Sequence, residues 1–137
     1  SKELKKLISI NSGIVSTGYV NETKKSALYI NAFGLLSPSL IEGFGIPVLD
    51  ACCLGLNCFA SDCSSHREIE NMYDFNKYLK LLPPKSITKW SDIFYDKKLL
   101  NMENKVTLMS RLSRYQNFKE ILKNDFIFKL NNLISNK

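Results

Sequence analysis

Apolar residues change their spacing several times along the chain, and each change marks an element. Ile14 to Val20 is a β-branched run and predicts a strand. Asn21 can cap the helix that follows, with Glu22 in its first turn, and that helix runs to about Ala32. Phe33 to Leu36 is an apolar run that predicts a short buried strand, broken by Ser37, Pro38 and Ser39. Gly43 and Gly45 then lead into a helix whose first turn suits Pro47, and Gly55 suits its left-handed stop. A third strand is expected around Asn57 to Ala60. Ser65 and Glu68 stand at capping-box spacing and predict a short helix. Tyr78 to Leu82 predicts a fourth strand, stopped by Pro83 and Pro84.

Beyond Pro84 the spacing is helical. Ser86 caps a helix that places Ile87, Trp90, Ile93 and Phe94 on one face, with Trp90 as its core anchor. Residues 103–114 and 117–135 read as two more helices. In the last, Phe118, Leu122, Phe126, Leu130 and Ile134 form a stripe. Ile127 and Phe128 lie off it and either meet a partner domain or widen the buried face. The strand–helix–strand unit over 14–36 implies parallel strands with a right-handed crossover. Alternating β and α elements predict an α/β fold, a doubly wound parallel sheet with extra C-terminal helices. In such a sheet a ligand sits at the carboxyl ends of the strands, where the Ser37–Gly45 loop lies.

Composition narrows the class. The 137 residues are 45% hydrophobic, enough for one domain with a core, and 23% charged, an ordinary share. No run of 18 apolar residues is present, so no membrane span is expected. The polar opening Ser1-Lys-Glu-Leu-Lys-Lys does not read as a signal peptide, and an opening without Met in mid-pattern reads as part of a longer protein. The net charge of +6 is uneven: residues 1–70 hold six Lys/Arg against seven Asp/Glu (−1), and residues 71–137 hold thirteen against six (+7). The basic half reads first as a solvated lysine-rich surface and second as a face for an anionic membrane. Cys52, Cys53, Cys58 and Cys63 contain no C-x-x-C pair, so small buried thiols are expected ahead of a metal site, and reduced thiols fit a cytoplasmic protein. His66, the one histidine, shows no partner in sequence and reads as a surface residue.

The stretch with chemistry is Ser37 to Asp50. A helix that starts after a glycine loop presents free N–H groups and a partial positive charge, which suit a phosphate. Glu42 stands before the loop. If Pro47 opens the helix, Asp50 is its fourth residue, and its side chain leans back toward a ligand at the helix start.

Glu42-Gly-Phe-Gly-Ile-Pro-Val-Leu-Asp50 resembles the donor-site signature of family-4 glycosyltransferases, retaining enzymes of the GT-B type. Their pattern is Glu-Gly-Phe-Gly-x-Pro-x-x-Glu, so this chain departs in its second acid, one methylene shorter. The resemblance extends over roughly residues 12–95, and Ser64-Ser65 with Glu68-Ile69 matches a later family loop. It implies a Rossmann-like, nucleotide-sugar-binding domain over 1–137, the donor half of an enzyme truncated at its N-terminal side. It implies that loop N–H groups hold the donor diphosphate and that Glu42, the catalytic candidate, contacts hydroxyls of the transferred sugar. Asp50 would bind the ribose diol, and Ser39, Gly43, Phe44, Gly45 and Ile46 would complete the donor site. The loop after Gly18-Tyr19-Val20 would hold the nucleobase through backbone.

The resemblance further implies a UDP- or GDP-linked sugar as donor, a saccharide or lipid-linked acceptor, and no cofactor or metal. An acceptor domain and a basic pair for the diphosphate would lie N-terminal to residue 1, leaving the isolated piece inactive. The place implied is the cytoplasm, with peripheral contact at the inner face of the membrane. A non-catalytic nucleotide-binding or interaction module on the same fold is the alternative. A nucleic-acid partner is not expected, because basic and aromatic residues do not interleave on a readable motif.

Overall fold

The structure is a computed structural model that describes residues 2–72, 75–96 and 108–135. Helix α1 is Lys2–Ile10 and helix α2 is Glu22–Asn31. Strand β1, Gly34–Ser37, leads through a loop into α3, Ile46–Cys53. Strand β2, Asn57–Ser61, is followed by α4, Ser64–Glu70, and by a 3₁₀ turn, Phe75–Lys77. Strand β3, Leu79–Leu82, leads to α5, Ile87–Asp92, which tightens into a second 3₁₀ turn, Ile93–Tyr95. Helix α6, Leu108–Ser135, closes the described chain.

The three strands form one parallel sheet in the order β1-β2-β3. Ser37 pairs with Ala60, and Ser61 with Leu82, so all three carboxyl ends lie along one edge. Two successive β–α–β units build this sheet, and the architecture is the expected Rossmann-like α/β fold. Cys58, Phe59, Ala60 and Ser61 are all buried in the central strand, which explains its continuous rather than alternating apolar run. Val48, Ala51 and Cys52 of α3, Ile69 of α4, Phe75, Leu79 and Phe118 complete the core.

Capping chemistry sets several helix ends where the sequence places them. Asn21 Oδ1 accepts the Lys24 N–H at 2.9 Å, and Ser86 Oγ accepts the Lys89 N–H at 3.4 Å. Gly55 stops α3 with φ of 66°. Its N–H returns to Cys52 O at 2.9 Å and the Leu56 N–H to Ala51 O at 2.9 Å, the paired bonds of a Schellman ending.

Other expectations are corrected. Residues 14–20 are not a strand. Residues 14–19 are exposed, Gly18 turns the backbone left-handed at φ of 61°, and among the described residues no strand pairs with the stretch. Without a partner, β-branched composition cannot hold a strand. The expected crossover over 14–36 therefore lacks its first strand. The motif strand is half-exposed rather than buried, because β1 is an edge strand among the described residues. Trp90 is half-buried and donates Nε1–H to Pro83 O at 3.1 Å, so it ties α5 to the end of β3 instead of anchoring a core face. Ile87 and Phe94 of that predicted face are exposed.

The two predicted C-terminal helices are one continuous helix of 28 residues from Leu108, since no Gly or Pro interrupts it. Residues 103–107 of the prediction lie outside the described residues. Phe118 is buried, its ring centroid 5.3 Å from that of Phe75. The side chains of Leu122, Phe126, Leu130 and Ile134 lie outside the described residues, while Ile127 and Phe128 are exposed. Arg111, 4% exposed, donates from Nη1 to Ile30 O at 2.5 Å and Ala32 O at 3.1 Å. It thereby satisfies carbonyls at the end of α2, where the helix dipole also favours a cation. Burial pushes its pKa down, and those carbonyls offset the cost. Arg114 hydrogen-bonds the Tyr78 hydroxyl and lies 5.2 Å from the centre of that ring.

Candidate functional site

The parallel register brings the loop after β1 and the loop after β2 side by side at one sheet edge. The first, residues 38–45, ends at Gly45, the N-cap of α3, with φ of 88°. Gly45 O accepts the N–H groups of Val48 at 2.9 Å and Leu49 at 3.0 Å. Helix α3 thus starts at Ile46, one residue earlier than Pro47, and Asp50 is its fifth residue rather than its fourth.

Gly45 has a second reason to be glycine. A Cβ there would stand 2.9 Å from His66 Cδ2, 3.1 Å from His66 Nε2 and 3.2 Å from Ile69 Cδ1. Gly43, in contrast, faces open space. His66 is therefore no surface residue: it is 0% exposed and packed beneath the loop. Ser61 O lies 2.7 Å from its Nδ1. A carbonyl only accepts, so Nδ1 carries the proton. Nε2 is buried and has no hydrogen-bond partner among the described residues.

Ser65 also departs from expectation. It is buried and does not cap α4, whose N-cap is Cys63 with no side-chain bond. Its hydroxyl instead donates to Glu42 O at 2.7 Å, with Gly43 O at 3.1 Å. Sequence spacing sees only the local capping option. The signal that finds Ser65 and His66 is topological, since both follow β2 at the edge where the β1 loop arrives.

Asp50 lines a cleft of about 320 Å³ between α2, α3 and α6, with Glu22, Lys25, Tyr29, Ile46 and Tyr115 around it. Lys25 Nζ stands 2.8 Å from Glu22 Oε2 and 3.7 Å from Asp50 Oδ2. Burial pushes the Asp50 carboxyl above its ordinary value, and Lys25 opposes the shift. The Tyr29 hydroxyl donates to Pro47 O at 3.3 Å, which ties α2 to the first turn of α3. Of the residues singled out in sequence, Ile46 and Asp50 line this cleft. Ser39, Glu42, Gly43, Phe44 and Gly45 do not; they belong to the loop beside it. Glu42 is half-exposed and Phe44 is exposed. Lys25 and Tyr29 escape sequence reading because their partners on α3 are 25 and 18 positions away.

Cys52, Cys53 and Cys58 are buried free thiols. Burial pushes Cys53 up to about 12, and a hydrogen bond with Cys52 together with burial pushes Cys58 up, so neither supplies a thiolate nucleophile. Among the described residues no group of three His, Cys, Asp or Glu is placed to hold a metal ion.

A model of the glycosyl transferases group 1 family matches residues 1–94. The chain belongs to that family. No curated protein and no solved structure matches it significantly. The family match takes in the sheet, the loop, Asp50 and the Ser65–His66 pair of α4, and stops before α6. This group 1 glycosyltransferase domain thus has its loop at the carboxyl edge of the sheet, where an α/β fold binds its ligand, and its acidic cleft runs along α3 from Ile46, the residue after that loop, to Leu54. No described helix is long and apolar enough to cross a membrane.

Proposed function

We propose that this chain is the donor-binding half of a retaining glycosyltransferase. It takes sugar from a UDP- or GDP-linked donor and passes it to a saccharide or lipid-linked acceptor held by an N-terminal domain of the same enzyme. The observation that carries the reading is Asp50 in a cleft along α3 that Ile46, the residue following the glycine loop, also lines.

In this reading the Asp50 carboxylate accepts hydrogen bonds from the two ribose hydroxyls, a geometry that suits two oxygens on one group. Lys25 favours the charged form of that acid. Main-chain N–H groups around Gly45, with the positive end of α3, hold the diphosphate. Ser39, Phe44 and Ile46 border the donor. Glu42 accepts from hydroxyls of the transferred sugar and sets the anomeric carbon beside the acceptor. Attack then comes from the face the nucleotide leaves, with a donor phosphate oxygen taking the acceptor's proton. The chain's own contribution is positioning and charge, not a proton relay.

Glu42→Gln in the full-length enzyme tests this. Free nucleoside diphosphate, which has no sugar to lose, should bind within a factor of about two of wild type. Transfer should fall by at least about tenfold, the cost of one charged hydrogen bond. A purely structural Glu42 predicts a lower melting temperature with activity per folded molecule intact, and that result would sink the assignment.

A further inference from the structure

Loop residues 38–44 make no backbone–backbone hydrogen bonds among the described residues. Their main chain is reached there by the Ser65 hydroxyl, whose one proton is shared between Glu42 O at 2.7 Å and Gly43 O at 3.1 Å. Ser65 is 7% exposed, so water competes little for its hydroxyl. One residue later, His66 fills the space under Gly45 and is itself pinned by Ser61 O at 2.7 Å. The loop is therefore fixed from the β2 side at both of its critical points: the carbonyl of the acid and the turn into α3.

We propose that Ser65 is a positioning residue for sugar transfer: its hydroxyl holds the main chain at Glu42 and Gly43 and so sets where the Glu42 carboxylate stands. His66 is the second support, holding Gly45. The proposal rests on the donor-site reading above. Its physical basis is that a side chain can be no better placed than the backbone carrying it, and a misplacement of about 1 Å can cost on the order of a hundredfold in rate. Neither residue touches the donor in this reading, so their loss acts through Glu42.

The test compares Ser65→Ala, Ser65→Thr and wild type in the full-length enzyme, using nucleoside diphosphate for binding and the nucleotide sugar for transfer. Ser65→Ala should lower kcat by roughly tenfold, change the nucleoside diphosphate dissociation constant by less than about threefold, and speed amide exchange at residues 43–45. Ser65→Thr keeps the hydroxyl and should restore kcat to within about threefold. Where the alanine variant does not accumulate folded, Ser65→Cys, of similar size and a weaker donor, should show the same loss of kcat. A folded variant without the hydroxyl and with unchanged kcat would overturn the proposal, as would equal losses in the alanine and threonine variants. Wild type that neither binds the diphosphate nor transfers sugar would overturn the donor-site reading, and this proposal with it. Wild-type transfer beside an unaffected Ser65→Ala removes the proposal alone.

Discussion

Asp50 holds its charge against its surroundings. Burial pushes its carboxyl pKa up, and Lys25 at 3.7 Å only partly reverses this. An acid whose folded pKa is raised binds its proton more readily folded than unfolded. Its ionised form therefore costs stability above the folded pKa, and that cost is absent at lower pH. Asp50 also lines the cleft along α3, and an acid so placed is better explained by a ligand than by packing. Asp50→Asn should then leave the melting temperature at pH 7 unchanged or raise it, while nucleoside diphosphate affinity falls about ten- to a hundredfold, as for one charge-assisted hydrogen bond. The wild-type affinity should also weaken on acidification, beginning at a pH above the ordinary aspartate value of 3.8, and the asparagine variant should keep only the dependence that comes from the ligand's own phosphate. Titration calorimetry across pH checks both. Equal affinities for the two proteins at neutral pH would show that the shorter acid does not reach the ribose.

The elements differ in how far local chemistry decides them. Helices α2, α3 and α5 carry their own signals, since Asn21, Pro47, Gly55 and Ser86 sit where caps and turns need them, and those helices were legible in the sequence. Strand β2 was legible as well, because a central parallel strand has no polar face to confuse the pattern. What failed depends on contacts between distant residues. Ile14–Val20 has strand composition but no partner, a fact only the assembled sheet supplies. Ser65 has two uses for its hydroxyl, and the distant one wins because it satisfies loop carbonyls. His66 shows no partner in sequence and so reads as a surface residue, whereas the loop that arrives over it at Gly45 buries it. The two motif glycines separate on the same grounds. Gly45 needs both its φ of 88° and its missing Cβ, while Gly43 faces open space. Gly45→Ala should cost about 1–3 kcal/mol from left-handed strain and the clash with His66, visible as a lower denaturant midpoint. Gly43→Ala should stay within about 0.5 kcal/mol. Comparable losses at the two positions would remove the special role given to the Gly45–His66 contact.

The whole molecule presents the loop of the proposed donor site along one border. Leu40 is 65% exposed and Ile41 92%, both in the loop that would hold the sugar, and Ile46, directly after it, is 60% exposed. Exposed apolar side chains of this size beside a site suit a surface covered in the working enzyme, which agrees with the proposed acceptor domain facing the loop. The parts within the chain are otherwise self-supporting. The sheet, α3 and α4 share one core, and α6 is fastened to it by Phe118, Arg111 and Arg114. The cleft is closed by α2, α3 and α6, all within these 137 residues. Ribose recognition should therefore survive in isolation while transfer should not, because the acceptor and the basic groups expected at the diphosphate would be supplied from elsewhere. The purified chain is expected to unfold cooperatively and to bind nucleoside diphosphate more weakly than the full-length enzyme. With nucleotide sugar and acceptor it should yield no product by mass. Adding the separately expressed acceptor domain should restore some transfer, since the two surfaces are proposed to meet across the loop. Product formed by the chain alone, free of contaminating enzyme, would mean that it carries an acceptor site of its own, and the division into donor and acceptor halves would be wrong.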